Sequence, residues 1–380
     1  MAEPTSQPPE TETLRVLHVV QSLGLGGMES VLIRVANALC ARGFDFHACC
    51  LTERGDQAHR FPDAAQVHEL GRKEGFSLRA VFRLRKLVRT LAPDVVHTHN
   101  MGPLVYSSLA KFIGSGAPII HGEHGQIRLK VGSRYEWLSR LLYKACYRVH
   151  TVSNNQLEQL RDLRLATASR SLAVVNGVDT ELFSPGGTAV REQLGIPAAA
   201  RILGIVGRLI PSKHHLRLLQ GLALLPADVH LLIIGDGPDR QSVEAEIAKL
   251  GCGDRVHLTG NICDVLSHYR AMDLLVVPSD SEGLSNVMLE AMACETPALA
   301  NSYCHGCDEV VSHGEDGWLL PMDSPERIAE AVRAALHAPD ELRRRGERSR
   351  ATMLARFSFE KTANAYESLY RDCAAHHRKA

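Results

Sequence analysis

The chain has 380 residues, of which 45% are hydrophobic and 23% are charged, and its formal net charge at pH 7 is zero. This length exceeds one ordinary core and predicts two domains of about 150–200 residues each. Residues 1–190 carry 22 Lys and Arg against 17 Asp and Glu, whereas residues 191–380 carry 21 against 26, so the first half is net basic (+5) and the second net acidic (−5). The neutral total, without a recognised nucleic-acid module, argues against a nucleic-acid partner.

The N-terminus and the cysteines indicate a cytoplasmic location. Residues 1–13 are polar and Pro-rich, without the features of a secretory signal, and are expected to be a disordered lead-in. No apolar run reaches the roughly 18 residues that a membrane-spanning helix needs. Ten cysteines in a chain this long do not make a disulfide framework. Cys304 and Cys307 have the spacing of half a zinc site or of a redox motif, but no second such pair completes a four-cysteine site, so neither a metal nor a redox function is predicted there.

Apolar runs typical of strands alternate with helical patterns along the first half of the chain. This alternation predicts βαβ units and a parallel, doubly wound α/β sheet. The segment at residues 30–42 reads as a helix, since Val31, Val35 and Leu39 fall on one face. We place this domain at residues 14–185. Its predicted strands are Leu14–Val20, Phe44–Leu51, Val95–His97, Pro118–His121, Val149–Val152 and Leu172–Val175.

A second α/β domain, predicted at residues 198–356, follows a Gly- and Pro-rich linker. A last helical stretch at residues 357–380 is expected to cross back to the first domain. The predicted strands of the second half are Arg201–Val206, Leu231–Ile234, Val256–Leu258, Leu274–Val277 and Ala298–Ala300, and its helices lie at about 214–225, 239–250, 286–293, 325–338 and 341–356. Fold class is therefore α/β, with two Rossmann-like domains.

In an open α/β sheet, ligands bind beyond the carboxyl ends of the strands. The first strand runs into a Gly-rich turn containing Gly26 and Gly27, followed by a helix whose first N–H groups suit an anion. Glu29 stands where the third glycine of a dinucleotide fingerprint would be, which disfavours plain NAD binding. In the second half, Arg208 and Lys213 follow a strand and can clamp a diphosphate from two sides.

The segment at residues 278–293 carries the strongest chemical signal. It follows an apolar strand and opens a helix at Ser285 or Asn286, both good N-cap residues. Glu282 lies in the loop and Glu290 on a largely apolar helix, where a carboxylate is costly without a partner. Sugar hydroxyls are such partners, and the amides of residues 283–286 are placed for phosphate oxygens.

Glu282 and Glu290 form an E-x7-E motif, and the chain as a whole resembles the retaining glycosyltransferase family 4 (group 1), of the GT-B fold. That resemblance implies two Rossmann-like domains facing across a cleft, the first on the acceptor side and the second binding a nucleotide sugar. A looser similarity is to sugar transferases of exopolysaccharide clusters. The motifs that carry the family resemblance are Gly26-Gly27-Met28-Glu29, Pro93–His99, Val152-Ser153, Asn176–Asp179, Gly207-Arg208 with Lys213, Gly235–Pro238, Glu282 with Glu290, Gly306 to Glu309, and Phe357–Glu360.

The resemblance also implies site roles. Arg208 and Lys213 hold the donor diphosphate, Glu290 bonds the ribose hydroxyls, and Glu282 contacts the donor sugar. The remaining donor-binding residues implied are Gly26, Gly27, Gly283, Leu284, Ser285 and Asn286.

A histidine of the first domain is implied to reach the transferred sugar. His124 is the best match and His99 the alternative. The resembled family usually has glycine where Glu295 stands, which predicts a turn residue with positive φ, a conformation that costs Glu roughly 1 kcal/mol.

The expected activity is metal-independent, retaining transfer of a hexose-type sugar from a UDP or GDP sugar to a glycan or lipid-linked acceptor, in cell-surface or exopolysaccharide biosynthesis. The chain contains no D-x-D pair for a metal-bridged diphosphate, and no cofactor is predicted. Two alternatives remain open: a sugar-nucleotide epimerase of the same fold, and a non-catalytic sugar-nucleotide-binding protein.

Two basic amphipathic stretches, 76–89 and 128–148, interleave Arg and Lys with aromatic and aliphatic residues. This pattern suits an anionic interface and predicts peripheral contact with the inner face of a membrane. The alternative reading is two ordinary amphipathic helices packed on the sheet.

Overall fold

The computed structural model describes residues 13–125, 133–262 and 264–379. The predicted lead-in, apart from Thr13, and residues 128–132 of the second basic stretch therefore lie outside the described residues. The chain divides into two compact units by its contacts. The first unit comprises Met1–Thr151, Leu157–Val174 and Ala363–Ala380, and the second comprises Val152–Gln156 and Val175–Thr362.

The first unit is built on a seven-stranded sheet in which every neighbouring pair is parallel, in the order β3-β2-β1-β4-β5-β6-β7. The strand order reverses at β1 and β4, the switch point where loops diverge and ligands bind in such sheets. The strands are β1 Leu14–Val20, β2 Phe44–Cys50, β3 Val67–Glu69, β4 Val95–His99, β5 Ile119–Glu123, β6 Arg148–Thr151 and β7 Ser171–Ala173. The helices are α1 Gly27–Cys40, α2 Leu78–Leu91, α3 Met101–Phe112, α4 Arg134–Lys144 and α5 Asn154–Asp162.

The side-chain period of two residues gives the two faces of this sheet different chemistry. Leu17 and Val19 of β1 join the apolar core formed with α2 and α3. His18, between them, faces the opposite side, where Phe46 and Tyr370 contact its ring. On β1, one face therefore contributes apolar side chains to the core, whereas the opposite face carries a buried histidine.

The second unit is built on a six-stranded parallel sheet in the order β10-β9-β8-β11-β12-β13. Its strand order reverses at β8 and β11. The strands are β8 Arg201–Val206, β9 Val229–Ile234, β10 Val256–Gly260, β11 Leu274–Val277, β12 Ala298–Asn301 and β13 Gly317–Leu320. The helices that follow α5 are α6 Val190–Gln193, α7 His215–Ala223, α8 Arg240–Leu250, α9 Leu266–Tyr269, α10 Asn286–Ala293, α11 Pro325–Leu336, α12 Pro339–Arg356 and α13 Phe359–Lys379.

The predicted α/β class with two Rossmann-like domains is confirmed. Two edge strands, β3 and β13, were not predicted from the sequence, and residues 175–185 group with the second unit rather than the first. Among the described residues, no helix has both the length and the apolarity needed to cross a bilayer.

Candidate active site

The switch point of the second sheet brings a predicted cation and a predicted carboxylate together. β8 and β11 are neighbours, so the loops after them leave the same edge of the sheet. The first loop ends in a 3-10 turn, Pro211–Lys213, and the second carries Glu282. Lys213 Nζ lies 2.5 Å from Glu282 Oε1, and the two side chains are 25% and 13% exposed. The two groups thus form an ion pair at the carboxyl ends of β8 and β11.

The loop that carries Arg208 is fixed by its backbone. Gly207 N–H donates to the Ile234 carbonyl at 2.9 Å, and Leu209 N–H to the Asp236 carbonyl at 3.1 Å. A Cβ on Gly235 would lie 2.0 Å from the Gly207 carbonyl oxygen, so only glycine allows this approach. Arg208 itself is exposed, and no ion pair joins it to any other residue that the structure describes. The guanidinium is therefore available to an anion.

The predicted phosphate-binding turn begins α10. Ser285 is the N-cap residue, but its side chain accepts no hydrogen bond from the first turn. The side chain of Asn286 is held from elsewhere, since Asn176 Nδ2 donates to Asn286 Oδ1 at 3.2 Å. Gly283 is half-buried, Leu284 is buried, and both precede the cap in the loop after Glu282. The Ser285 side chain therefore does not cap the first-turn amides of α10. An anion site at a helix start requires amides that are not capped by a side chain.

Glu290 lies in the second turn of α10 and is half-buried. The hydroxyl of Tyr269, a fully buried residue at the end of α9, donates to Glu290 Oε2 at 3.0 Å. This contact orients the carboxylate that the resemblance assigns to the ribose. Sequence reasoning missed Tyr269, because a tyrosine 21 residues away on a short helix carries no local signal.

A tight turn at residues 304–307 supports the Glu282 loop. Glu282 N–H donates to the His305 carbonyl at 3.0 Å. Gly306 has φ +93°, and a Cβ there would lie 2.5 Å from the Glu282 carbonyl oxygen. The Sγ atoms of Cys304 and Cys307 lie 2.8 Å apart, and both residues are buried. The hydrogen bond with Cys304, together with burial, raises the pKa of the Cys307 thiol well above its usual range, so the Cys307 thiol is held protonated.

The Gly-rich turn of the first unit carries an unexpected carboxyl group. Gly26 is the N-cap of α1, and Gly27 is the first, exposed residue of that helix. A Cβ on Gly26 would lie 2.1 Å from Glu29 Oε2, so this carboxyl lies directly against the glycine. Burial raises the pKa of Glu29. A phosphate approaching Gly26, as the resemblance implies, would therefore meet Glu29, and that role of Gly26 and Gly27 stays a prediction.

His124 and His99 are joined in the first unit. His124 follows β5, and its Nε2 lies 2.8 Å from Nδ1 of His99, the last residue of β4. Burial, together with neighbouring histidines, holds the pKa of both rings well below the ordinary value. His99 is 3% exposed and hydrogen-bonded on both ring nitrogens. Of these two histidines, His124 is therefore the one with a ring nitrogen, Nδ1, that has no hydrogen-bond partner in the described part of the chain.

Three buried histidines, His18, His97 and His99, could hold a metal ion, since each offers a ring nitrogen within 4.8 Å of the others. Five of their six ring nitrogens already take part in hydrogen bonds, and the exception is Nε2 of His18. These bonds satisfy the neutral rings without an ion.

The chain matches two family models, each over a little more than two-fifths of its length. The model described as "Glycosyltransferase Family 4" matches residues 25–182, and the model described as "Glycosyl transferases group 1" matches residues 188–352. The boundary between the matches falls close to the predicted linker.

Relatives with named activities are similar over most of the chain. A D-inositol 3-phosphate glycosyltransferase of Geodermatophilus obscurus is 33% identical over 306 residues, covering 74% of this chain and 67% of that relative. A protein of the same name from Thermobispora bispora is 30% identical over 362 residues, covering 83% of each chain.

The fold is shared with solved glycosyltransferase structures. Anabaena Alr3699/HepE, solved in complex with UDP and glucose, has a TM-score of 0.81 at 21% identity and covers 94% of this chain and 99% of its own. The two family models and the two relatives of at least 30% identity agree with this likeness, and the chain belongs to the group 1, family 4 glycosyltransferases, enzymes of the GT-B fold.

Proposed function

We propose that this glycosyltransferase moves a hexose-type sugar from a nucleoside diphosphate sugar to a glycan or lipid-linked acceptor, with retention of anomeric configuration and without a metal ion. Cell-surface or exopolysaccharide biosynthesis is the process that such a transfer serves. The observation that carries the proposal is the convergence, at one edge of the second sheet, of the Lys213–Glu282 ion pair with the uncapped start of α10.

Each part of this edge fits one part of the donor. Lys213 and the exposed Arg208 supply positive charge for a diphosphate, and the first-turn amides of α10 supply hydrogen-bond donors. Glu290, oriented by the Tyr269 hydroxyl, offers a carboxylate oxygen to a pair of ribose hydroxyls. Glu282 would exchange part of its bond with Lys213 for a hydroxyl of the sugar.

UDP is the first nucleotide to test and GDP the second, because the HepE structure, which shares this fold, holds UDP and glucose. The relatives named as D-inositol 3-phosphate glycosyltransferases use an acceptor of another kind, a phosphorylated polyol, by their names. An acceptor screen should therefore contain phosphorylated polyols beside glycans and lipid-linked sugars.

The proposed reaction exchanges one bond at the anomeric carbon for another on the same face. The bond from C1 to the β-phosphate oxygen breaks, the acceptor oxygen bonds to C1, and its proton passes to the departing phosphate. Arg208, Lys213 and the α10 amides stabilise the negative charge that develops on that phosphate. His124 is the proposed group of the first unit that hydrogen-bonds the transferred sugar.

The exposed side chains of α2 and of the segment before it support the proposed membrane contact. The inner face of α2 is buried through Ala80, Val81, Leu84 and Val88. Phe76, Leu78 and Phe82 are 60%, 64% and 60% exposed, and Arg79, Arg83, Lys86 and Arg89 are exposed beside them. On α4, Trp137 is 67% exposed and Tyr135 59%. Exposed aromatic residues among cations are typical of helices that lie on anionic bilayers.

The donor assignment is tested by calorimetry with UDP, GDP and ADP in the presence of EDTA, on wild type and Glu290→Gln. We expect one nucleotide to bind at roughly micromolar Kd and the variant to lose that binding. Product analysis with the matching sugar donor then separates the chemistries: transfer to an acceptor supports the proposal, whereas a changed sugar still linked to the nucleotide indicates an epimerase. Binding that requires added Mg²⁺ or Mn²⁺ overturns the metal-independent proposal.

Membrane contact is tested by flotation with anionic and neutral vesicles. We expect binding to anionic vesicles that is lost in Phe82→Glu and retained in Glu330→Gln, a change on the exposed face of α11. Equal recovery of wild type and Phe82→Glu with the vesicles would refute the surface.

A further inference from the structure

Five histidines lie on the face of the first sheet that Tyr366 and Tyr370 of α13 contact. Strand register places them there: His18 of β1 pairs with His97 of β4, and His99 and His150 flank Gly122 of β5. A Cβ on Gly122 would lie 2.6 Å from His150 Nε2 and 2.9 Å from His124 Nε2, so glycine makes room for the rings.

One hydrogen-bonded chain in this cluster has a fixed direction. His150 Nδ1 lies 3.4 Å from the Thr151 carbonyl, which only accepts, so His150 carries its proton on Nδ1. His150 Nε2 must then accept from His97 Nε2, 2.9 Å away, and His97 Nδ1 must accept from the Tyr370 hydroxyl at 2.8 Å. Every proton of this hydrogen-bonded chain therefore has a defined position, because the Thr151 carbonyl at its end can only accept a hydrogen bond.

A second hydrogen-bonded chain, formed by His18, His99 and His124, does not end on a group that can only accept. His18 Nδ1 lies 2.8 Å from His99 Nε2, and His99 Nδ1 lies 2.8 Å from His124 Nε2. Burial lowers the pKa of His18 to about 3, and burial with neighbouring histidines holds those of His99 and His124 well below 6.5. The three rings are therefore neutral at pH 7.

Three neutral imidazoles carry three N–H protons, and the two links of this chain use two of them. The third must be on an end nitrogen, either His18 Nε2 or His124 Nδ1, and neither end has a hydrogen-bond partner among the residues that the structure describes. Both end nitrogens are buried, but His18 as a whole is 1% exposed and lies between Phe46 and the other rings, whereas His124 is half-buried. A buried N–H without an acceptor is costly, and only the His124 end can gain an acceptor from a bound substrate. The favoured arrangement leaves His18 Nε2 bare.

From this proton count we propose that His18 and His99 are positioning residues that hold His124 as a neutral hydrogen-bond donor at Nδ1, directed at an acceptor oxygen of the sugar substrate. The role of His124 toward the sugar, and with it the choice of the His124 end for the third proton, rests on the proposed function, whereas the linkage of the three rings rests on the contacts alone. His18 Nδ1–H donates to His99 Nε2, and His99 Nδ1–H donates to His124 Nε2. A substrate oxygen at His124 Nδ1 completes the chain and locks its direction.

The proposal distinguishes two substitutions at His99. Glutamine keeps one acceptor and one donor on a side chain of similar reach, so His99→Gln can accept from His18 and donate to His124. His99→Leu is apolar and breaks both links. Tyr370→Phe is the matched control, since it removes a donor from the other chain, which does not include His124.

The test is long-range ¹H–¹⁵N correlation NMR on the full chain labelled with ¹⁵N-histidine, with the His124 signals assigned by His124→Gln. We expect His124 to be protonated at Nδ1 and unprotonated at Nε2 in wild type, in His99→Gln and in Tyr370→Phe. In His99→Leu the proton moves to Nε2 or divides between the two nitrogens. A wild-type His124 protonated at Nε2, or an unchanged tautomer in His99→Leu, overturns the proposal.

Kinetics provide the functional readout. His99→Leu should lower kcat/KM for the sugar donor by roughly tenfold, the usual effect of one misdirected hydrogen bond, and His99→Gln should restore most of it. If His99→Leu does not fold, His18→Phe, which conserves the ring stack on Phe46, provides the same comparison by removing the donor at the far end. The expected tautomers in a protein that binds no sugar nucleotide would support the positioning role and refute the proposed function. An unexpected tautomer in an active enzyme would do the reverse.

Discussion

The hydroxyl of Tyr269 donates a 3.0 Å hydrogen bond to Oε2 of Glu290, across 21 residues of sequence and from a fully buried ring. A carboxylate that must meet two vicinal hydroxyls gains from such a fixed orientation. The contact also explains how a carboxylate is tolerated on a helix whose other residues are largely buried and apolar.

Glu290→Gln should weaken nucleotide binding and lower kcat/KM by roughly tenfold or more, because a neutral amide replaces the charged acceptor. Tyr269→Phe keeps the carboxylate and removes only its orienting donor, so we expect a smaller loss of about threefold. Calorimetry with UDP measures both. A loss in Tyr269→Phe as large as in Glu290→Gln would show that the tyrosine contacts the nucleotide itself.

The Lys213–Glu282 pair should be essential to turnover. Lys213→Ala removes a cation from the proposed diphosphate site and leaves Glu282 without its partner at 2.5 Å, so kcat/KM should fall roughly tenfold or more. Lys249→Ala is the control, because Lys249 is 69% exposed and pairs with Glu246 on the surface of the same unit. Initial rates over a range of donor concentrations measure both variants, and near-wild-type kinetics in Lys213→Ala would remove this pair from the donor site.

Gly306→Ala tests the turn beneath Glu282. The new Cβ would lie 2.5 Å from the Glu282 carbonyl oxygen at a residue with φ +93°, so the Glu282 loop must shift and kcat/KM should fall. Gly314→Ala matches the backbone strain at φ +84° but places its Cβ in open space. Both variants should lose stability by about 1 kcal/mol. Equal activity in the two would show that the Glu282 loop is not held by this contact.

The long periodic elements were predictable from the sequence, and the short edge strands were not. The bounds of β1, β8, β11 and α10 agree with prediction, because each is a largely apolar segment with a clear break at both ends. β3 and β13 have three and four residues, and edge strands of that length owe their conformation to a neighbouring strand. β4 and β5 each extend beyond their predicted ends and bring His99 and Glu123 into the sheet.

The sequence predicted that Lys213 and Glu282 each follow a strand of the second sheet, and the adjacency of β8 and β11 in the structure brings the two side chains together at one edge. The partners of the site were not predictable. Tyr269 reaches Glu290 and Asn176 reaches Asn286 through tertiary packing, which leaves no periodic or spacing signal. The carboxyl of Glu29 against Gly26 was missed for a different reason, because it depends on one side-chain rotamer.

Glu295→Gly should stabilise the second unit. Glu295 has φ +63°, as the departure from the family pattern predicted, and is exposed at the turn after α10. Removing the Cβ relieves a left-handed conformation, and after the entropic cost of glycine the expected gain is about 0.5–1 kcal/mol. Glu330→Gly, on the exposed face of α11, should instead cost about 1 kcal/mol. Urea unfolding compares the two, and destabilisation by both would mean that the Glu295 side chain stabilises the turn.

The buried histidines should make the first unit acid-labile well above the range in which carboxylates titrate. Burial lowers the pKa of His18 and His150 to about 3, from about 6.5 in an unfolded chain. Between these values the unfolded state binds more protons, so stability is complete above about pH 6.5 and falls as the pH decreases, by about 1.4 kcal/mol per pH unit for each histidine.

Hydrogen exchange of peptides from β1 and β4, followed during urea titrations at about pH 7 and about pH 5.5, measures this loss of stability. Both pH values lie above the range near pH ~4 in which Asp and Glu of the unfolded chain titrate. His18→Phe keeps an aromatic ring against Phe46 but cannot bind a proton, so its pH slope should be smaller by about one proton. A wild-type midpoint that does not change between the two pH values would show that these rings are protonated, or accessible to protons, in the folded chain. The chain of neutral imidazoles that directs His124 would then not exist.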